Sequence, residues 1–361
     1  MSALGGLVVA DFGRVLAAPY ATMLLADLGA EVVKVEHPRG DETRAWGPPH
    51  AGGVATYFLS VNRNKTSTVL DLSTVEGKSA ARELVLGADV VVENFRPGTM
   101  ARFGLSYEDL RTVHPGLVYC SVTGFGAGRG RDLPGYDLLA QAVGGLMSVT
   151  GARPGEPVKT GVALVDVLTG VHAAVGVLAA LRHRDATGEG QLVEVDLLSV
   201  LLSSMVNQSA GYTAAGVVPG IMGNRHPSIA PYELVETADR PMVLAVGNDR
   251  QFARLCAALD VPALAADPRF AANTDRVAHV DELMALLGPR LRTGTARHWF
   301  DTLTPLGVPC GPVNDLAGAF DLAAGLGLEP VVSVDGLDLV ANPIRLSRTP
   351  ATYRSPPPPL G

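Results

Sequence analysis

One carboxylate stands inside an apolar run, Gly161-Val-Ala-Leu-Val-Asp166-Val-Leu-Thr-Gly170. Such a placement costs free energy unless the group is paired, caps a helix or does chemistry. The residues alone leave two readings open. Asp166 caps a helix beginning near Leu168, or it is a nucleophile that backbone N–H groups at a helix start keep ionised. A second cluster is Asn94-Phe-Arg-Pro-Gly98, which follows an apolar, β-branched run. Asn94 and Arg96 could reach a ligand there, with Arg102 one turn into the next helix; Pro-Gly turn chemistry accounts for the segment equally well. Tyr136-Asp137 opens an apolar helix, where Asp137 is by default a favourable N-terminal charge. The glycine-rich run from Gly124 to Gly130 follows a strand, but Arg131-Asp-Leu-Pro134 separates it from any helix, so it reads as a loop and not as a dinucleotide fingerprint. His226 has no Ser or Cys nucleophile nearby and reads as structural. Cys120, Cys256 and Cys310 are too few and too scattered for a disulfide framework or a metal site.

The elements around these residues alternate. Strands are expected at residues 7–12, 31–36, 67–72, 88–93 and 117–122, with helices at 19–28 and 76–87. Short apolar runs separated by helices indicate a parallel sheet covered on both faces. In such sheets ligands bind outside the carboxyl ends of the strands, which is where Asn94 falls. Helices are expected at 136–149 and 168–184, and residues 192–202 begin as a strand. The organisation read from this is a large, doubly wound, mostly parallel α/β domain (1–215), a linker rich in Gly, Pro, Asn and His (216–230), a smaller α+β domain (231–325) and a return segment (326–361). In the smaller domain, strands are expected at 232–237 and 242–246, and helices at 250–259, 280–287 and 295–304. Residues 332–346 look strand-rich, and the tail is proline-rich.

The chain has 361 residues, 47% of them apolar, and a net charge of −7. That composition permits a large core and argues against a nucleic-acid partner, which wants a basic face. The first residues carry no basic, leader-like stretch. The most apolar stretch, residues 171–181, is too short to span a bilayer. A soluble, cytoplasmic protein is expected, with no membrane partner.

Taken together, the motifs resemble the class III CoA-transferases, the family of formyl-CoA transferase and carnitine CoA-transferase, which also contains the α-methylacyl-CoA racemases. They are Ala18-Pro-Tyr-Ala-Thr-Met-Leu-Leu-Ala-Asp-Leu-Gly-Ala-Glu-Val-Val-Lys-Val-Glu36, Asn64-Lys65 with Leu70-Asp-Leu72, Val92-Glu-Asn-Phe-Arg-Pro-Gly98, Gly135-Tyr-Asp137 with Gln141-Ala142, and the Asp166 segment. Further along come Gly223-Asn-Arg-His-Pro-Ser-Ile-Ala-Pro-Tyr-Glu233, Val246-Gly-Asn-Asp249 and Gly307-Val-Pro-Cys-Gly-Pro312. The resemblance implies that Asp166 is the catalytic carboxylate. It implies CoA contacts at His37, Leu70, Asn94, Phe95, Arg96 and Arg102, and an acyl end near Leu16, Tyr136 and Asp137. It also implies an interlocked homodimer, an acyl-CoA and a carboxylic acid as substrates, and no cofactor beyond the CoA thioester itself. Leu16 stands where formyl-CoA transferase has a glutamine, which argues against an oxalate or formyl substrate. The family usually runs on past the equivalent of Leu360-Gly361, so part of the large domain's edge is expected to be missing. The rival within the family is a racemase, which carries His-Asp where this chain has Tyr136-Asp137. A CoA-binding protein without catalysis is the third reading, and the retained Asp166 argues against it.

Overall fold

The structure is a computed structural model that describes residues 2–361. The chain forms two compact units. One comprises the chain up to Met147, Lys159–Pro219 and Gly327–Gly361; the other comprises Ser148–Val158 and Gly220–Leu326.

The first unit is built in the order β1 (Val8–Phe12), α1 (Ala17–Asp27), β2 (Glu31–Glu36), β3 (Lys65–Val69), α2 (Val75–Leu86), β4 (Val90–Glu93), β5 (Val118–Thr123), α3 (Asp137–Val143), α4 (Leu164–Thr187), β6 (Leu192–Asp196), α5 (Leu197–Ser204) and α6 (Val206–Ala215). Six strands form one sheet in the order β3-β2-β1-β4-β5-β6, every neighbouring pair parallel. The strand residues are apolar on both faces because both faces are covered. Val9, Val90 and Val92 face the core that holds α1 and α4. Their neighbours Ala10 and Val91 face the opposite core with Ala81 and Val85 of α2, as the two-residue period of a strand requires. The α/β, doubly wound, mostly parallel expectation is what the sheet shows.

Two elements differ from the sequence reading in ways that matter. The run expected as one helix over 136–149 breaks after Val143, where Gly145 takes a φ of 89°. The helix expected over 168–184 is α4, which starts four residues earlier and has 24 residues. With a mean hydropathy of 2.0 it is long and apolar enough to cross a membrane, yet its buried side lies on the sheet core against α1. Small residues let those two helices approach closely. A Cβ at Gly170 would lie 2.6 Å from the Ala17 carbonyl oxygen. Gly170 is one turn after Asp166, so the same face of α4 brings Asp166 beside the start of α1.

The return segment closes on the same unit. Its hairpin pairs Val331–Val334 with Leu337–Val340. Arg63 donates to the Val340 carbonyl, Asn342 to Asp27, and Arg354 to the carbonyls of Ala26 and Ala30.

The second unit has a three-stranded antiparallel sheet of β7 (Tyr232–Val235), β8 (Met242–Ala245) and β9 (Cys310–Pro312), with β8 central. Helices α7 (Asp249–Ala258), α8 (Val280–Leu291) and α9 (Ala296–Leu303) enclose its core around Phe252, Phe270, Leu287 and Trp299. Arg276 is fully buried there. Its guanidinium donates to three carbonyls and to Asp249, and lies over the Phe252 ring. Residues 148–158, which the sequence reading leaves within the large domain, group with this unit; a Cβ at Gly151 would touch Ile221.

Candidate active site

The strand order turns back on itself between β1 and β4. That switch point is where an open α/β sheet leaves a crevice, because the connections on either side run to opposite faces. A cleft of about 190 Å³ sits there. Its walls come from the segments that follow three neighbouring strands: Arg14, Val15 and Leu16 after β1, Asn94 to Pro97 after β4, and Thr123 and Gly124 at the end of β5. Tyr136 and Asp166 complete it.

Asp166 lies in the first turn of α4, whose N-cap position is Ala163. The helix start is capped by a different carboxylate. Asp137, the first residue of α3, accepts from the backbone N–H of Val165 at 2.8 Å and of Asp166 at 3.1 Å. A cap fills the orphan donors of a helix start, and here Asp137 fills two of them. The capping reading of Asp166 is therefore overturned: its capping role is taken by Asp137, and no hydrogen bond reaches the Asp166 carboxylate among the described residues. Burial and, second, the Asp137 charge push Asp166 up to about 7. An unpaired carboxylate poised near neutrality in a cleft marks a functional group.

The capping carboxylate is itself held. Its second oxygen accepts from Gln141 Nε2 at 2.5 Å, one turn along α3. Gln141 is fully buried, and its Oε1 accepts from the N–H of Thr160 at 3.0 Å and from the Thr160 hydroxyl at 3.3 Å. Asp137 and Gln141 thus tie α3 to the segment leading into α4.

The other residues singled out by sequence divide into two groups. Leu16, Asn94, Phe95, Arg96 and Tyr136 meet in the cleft. The side-chain amide of Asn94 is fully engaged there, accepting from the Arg14 N–H and donating to the Arg14 carbonyl, both at 2.8 Å. The Arg14 guanidinium lies over the Phe95 ring and pairs with Glu42. His37 and Leu70 lie beyond the cleft at the carboxyl ends of β2 and β3, where the Leu70 N–H bonds the Glu36 carbonyl. Arg102 is exposed and donates to Thr99. Asp137 does not line the cleft; both its oxygens are engaged as described.

Several residues of the site escaped the sequence reading. Arg14 carries no signal beyond its charge after a strand. Tyr57 is far away in sequence, yet burial and the charges of Asp166 and Asp137 push its hydroxyl up to about 12. Glu93 had a signal, a carboxylate in the buried strand Val-Val-Val-Glu. It accepts from Ser121 and the Phe95 N–H, and burial pushes it up to about 7.

A model of the family described as CoA-transferase family III matches residues 4–361. The succinate–glutarate CoA-transferase of Agrobacterium fabrum is 43% identical, over 99% of this chain and 93% of that protein. The acetyl-CoA:oxalate CoA-transferase of Acetobacter aceti is 39% identical, over 95% of this chain and 88% of that one. A crystal structure of a CaiB/BaiF family protein from Brucella suis superposes with a TM-score of 0.90 at 40% identity, covering 99% of this chain and 96% of that one. With a switch-point cleft, an unpaired carboxylate in it and likeness along nearly the whole chain, this protein belongs to CoA-transferase family III and is a CoA-transferase.

Proposed function

We propose that this enzyme moves CoA from an acyl-CoA to a free dicarboxylic acid, with Asp166 as the covalent carrier. The observation that carries this reading is the free Asp166 carboxylate in the switch-point cleft, with a different residue doing the capping. One Asp166 oxygen attacks the thioester carbonyl; the C–S bond breaks, leaving a mixed anhydride and CoA thiolate. The thiolate attacks the aspartyl carbonyl, the anhydride C–O bond breaks, and the donor acid leaves. The acceptor carboxylate then attacks the aspartyl thioester and releases the thiolate. The thiolate takes the new acyl group and frees Asp166. The sequence consumes no redox equivalents and asks for no metal. Phe95, Arg96, Arg102, His37 and Leu70 are proposed to contact CoA, and Leu16 and Tyr136 the acyl group. The names of both curated relatives carry a dicarboxylate, which makes succinyl-CoA with glutarate the first pair to test, with oxalate, against which Leu16 argues, as the comparison acceptor.

Wild-type protein is incubated with succinyl-CoA and treated with hydroxylamine, and the peptide holding Asp166 is weighed by mass spectrometry. A hydroxamate on Asp166 is expected. A trapped adduct on another residue, or none while transfer proceeds, overturns the carrier assignment. The racemase chemistry needs two tuned acid–base groups at the α-carbon, and this chain has Tyr136 where the racemases carry a histidine. Incubation with a 2-methylacyl-CoA in D2O is therefore expected to leave the α-hydrogen in place; wash-in at turnover rates would refute the transfer reading. We also read the exposed apolar residues Val206, Tyr212, Val217 and Val218 as surface covered by a second copy in an interlocked homodimer. Light scattering at the mass of one 37.5 kDa chain would refute that.

A further inference from the structure

Between β1 and α1 the chain crosses the mouth of the cleft in four residues, Gly13 to Leu16. Val15 has a φ of 65°, in the left-handed region that a β-branched side chain adopts only under constraint. Such a residue persists when its surroundings over-determine it, and here they do. Five consecutive backbone groups are each bonded by a side chain. The Gly13 N–H donates to Asp11 at 2.8 Å, and the Gly13 carbonyl accepts from Lys34 Nζ at 2.8 Å. The Arg14 N–H and carbonyl both pair with the Asn94 amide. The Val15 N–H donates to Asp41, which in turn holds Lys34 at 2.9 Å. Lys34 and Asp41 are buried.

The kink decides where the chain goes next. Val15 and Leu16 pack in one apolar cluster with Ala163 and Val167, which flank Asp166 on α4. The next residue, Ala17, is the one whose carbonyl abuts Gly170. We propose that Asn94 and Val15 are positioning residues for the transfer reaction. Asn94 clamps Arg14 so that the left-handed turn at Val15 sets Leu16 and the first turn of α1 against Asp166. This assigns Asn94 a role other than CoA contact, and it rests on Asp166 being the carrier. Two features make Asn94 the adjustable clamp. It is only half-buried, so its loss does not open the core, and its amide supplies both the acceptor and the donor that the backbone of one residue, Arg14, needs.

The experiment compares Asn94→Ala, Val15→Gly and the double variant Asn94→Ala/Val15→Asn with wild type, using succinyl-CoA and glutarate. Asn94→Ala is expected to lower kcat by about tenfold to a hundredfold, as a displaced reacting geometry does. Its KM for succinyl-CoA should stay within about twofold, because uniform binding is untouched. Val15→Gly permits the kink without enforcing it and is expected to lower kcat with little change in melting temperature. Asparagine adopts the left-handed region more readily than valine, so the double variant should recover part of the lost kcat. Amide hydrogen exchange over residues 13–18 should speed up in Asn94→Ala and slow again in the double variant. A raised KM with intact kcat would make Asn94 a ligand contact and overturn the proposal, as would unchanged kcat in both single variants. If Asp166→Ala still transfers CoA, the carrier reading fails on its own; the exchange rates still decide whether Asn94 holds the strap.

Discussion

Replacing Asp137 by asparagine separates what its shape does for Asp166 from what its charge does. An asparagine oxygen can still cap Val165 and Asp166, so the helix start stays in place. The negative charge is lost. Asp166 stands at about 7 against an ordinary 3.8, with burial the larger cause and Asp137 the second. Less than half of that rise belongs to Asp137, so Asp137→Asn should lower the Asp166 pKa by about one pH unit, or roughly 1.4 kcal/mol. The other polar groups around Asp166 are Tyr57, Tyr136, Asn94, Arg96, Thr123 and the Arg14–Glu42 pair, and the substitution leaves them all in place. The acid limb of kcat/KM, which reports the free enzyme, should move down by that amount. The variant also sets an asparagine N–H against Gln141 Nε2, a conflict worth about 1–3 kcal/mol of stability. Adding Gln141→Glu resolves it, since a carboxylate there accepts from both the introduced amide and Thr160, and it places the charge one side chain further from Asp166. The double variant should therefore recover melting temperature while its acid limb stays below that of wild type. Rate profiles across the acid and neutral range and thermal melts test both points. An acid limb unmoved in Asp137→Asn would show that the capping carboxylate does not set the basicity of Asp166.

Three further outcomes follow from the same geometry. The folded state keeps a proton on Asp166 up to about 7 whereas an unfolded chain releases it near about 3.9, so this group costs stability increasingly as pH rises between those values; Asp166→Asn should raise the melting temperature relative to wild type more at about pH 8 than at about pH 4.5, and an equal effect at both would refute the raised pKa. Arg102→Ala should raise KM for succinyl-CoA with little change in kcat if its exposed charge holds phosphate in ground and transition states alike; a collapsed kcat at constant KM would place it elsewhere. Asp11 accepts from Lys65 and Thr22 in a fully buried pair, so Asp11→Asn should cost about 3–5 kcal/mol by chemical denaturation, and a loss below about 1 kcal/mol would show that the pair contributes little.

The sheet and the neighbourhood of the site were legible in the residues themselves. Continuous β-branched runs such as Val-Val-Val-Glu93, spaced by helices, admit few folds other than a parallel sheet covered on both faces, and that fold places ligands after its strands. Asn94 and Arg96 could be named from that rule, and Asp166 from being charged within an apolar run. What each of them does was decided only by contacts between segments distant in sequence. Asp166 and Asp137 each sit at a helix start, so the residues alone offered Asp166 a capping role and Asp137 that of an N-terminal charge; the three-dimensional path of α3 past α4 hands the cap to Asp137 and leaves Asp166 free. Asn94 reads as a ligand contact from its place after β4, and nothing local shows that Arg14, 80 residues away, takes both ends of its amide. No propensity places a valine in the left-handed region; Asp11 at the end of the preceding strand and three side chains from further along the chain, Lys34, Asp41 and Asn94, impose it. Periodicity and composition record which face of an element is apolar, whereas hydrogen-bond partners are chosen by the tertiary fold.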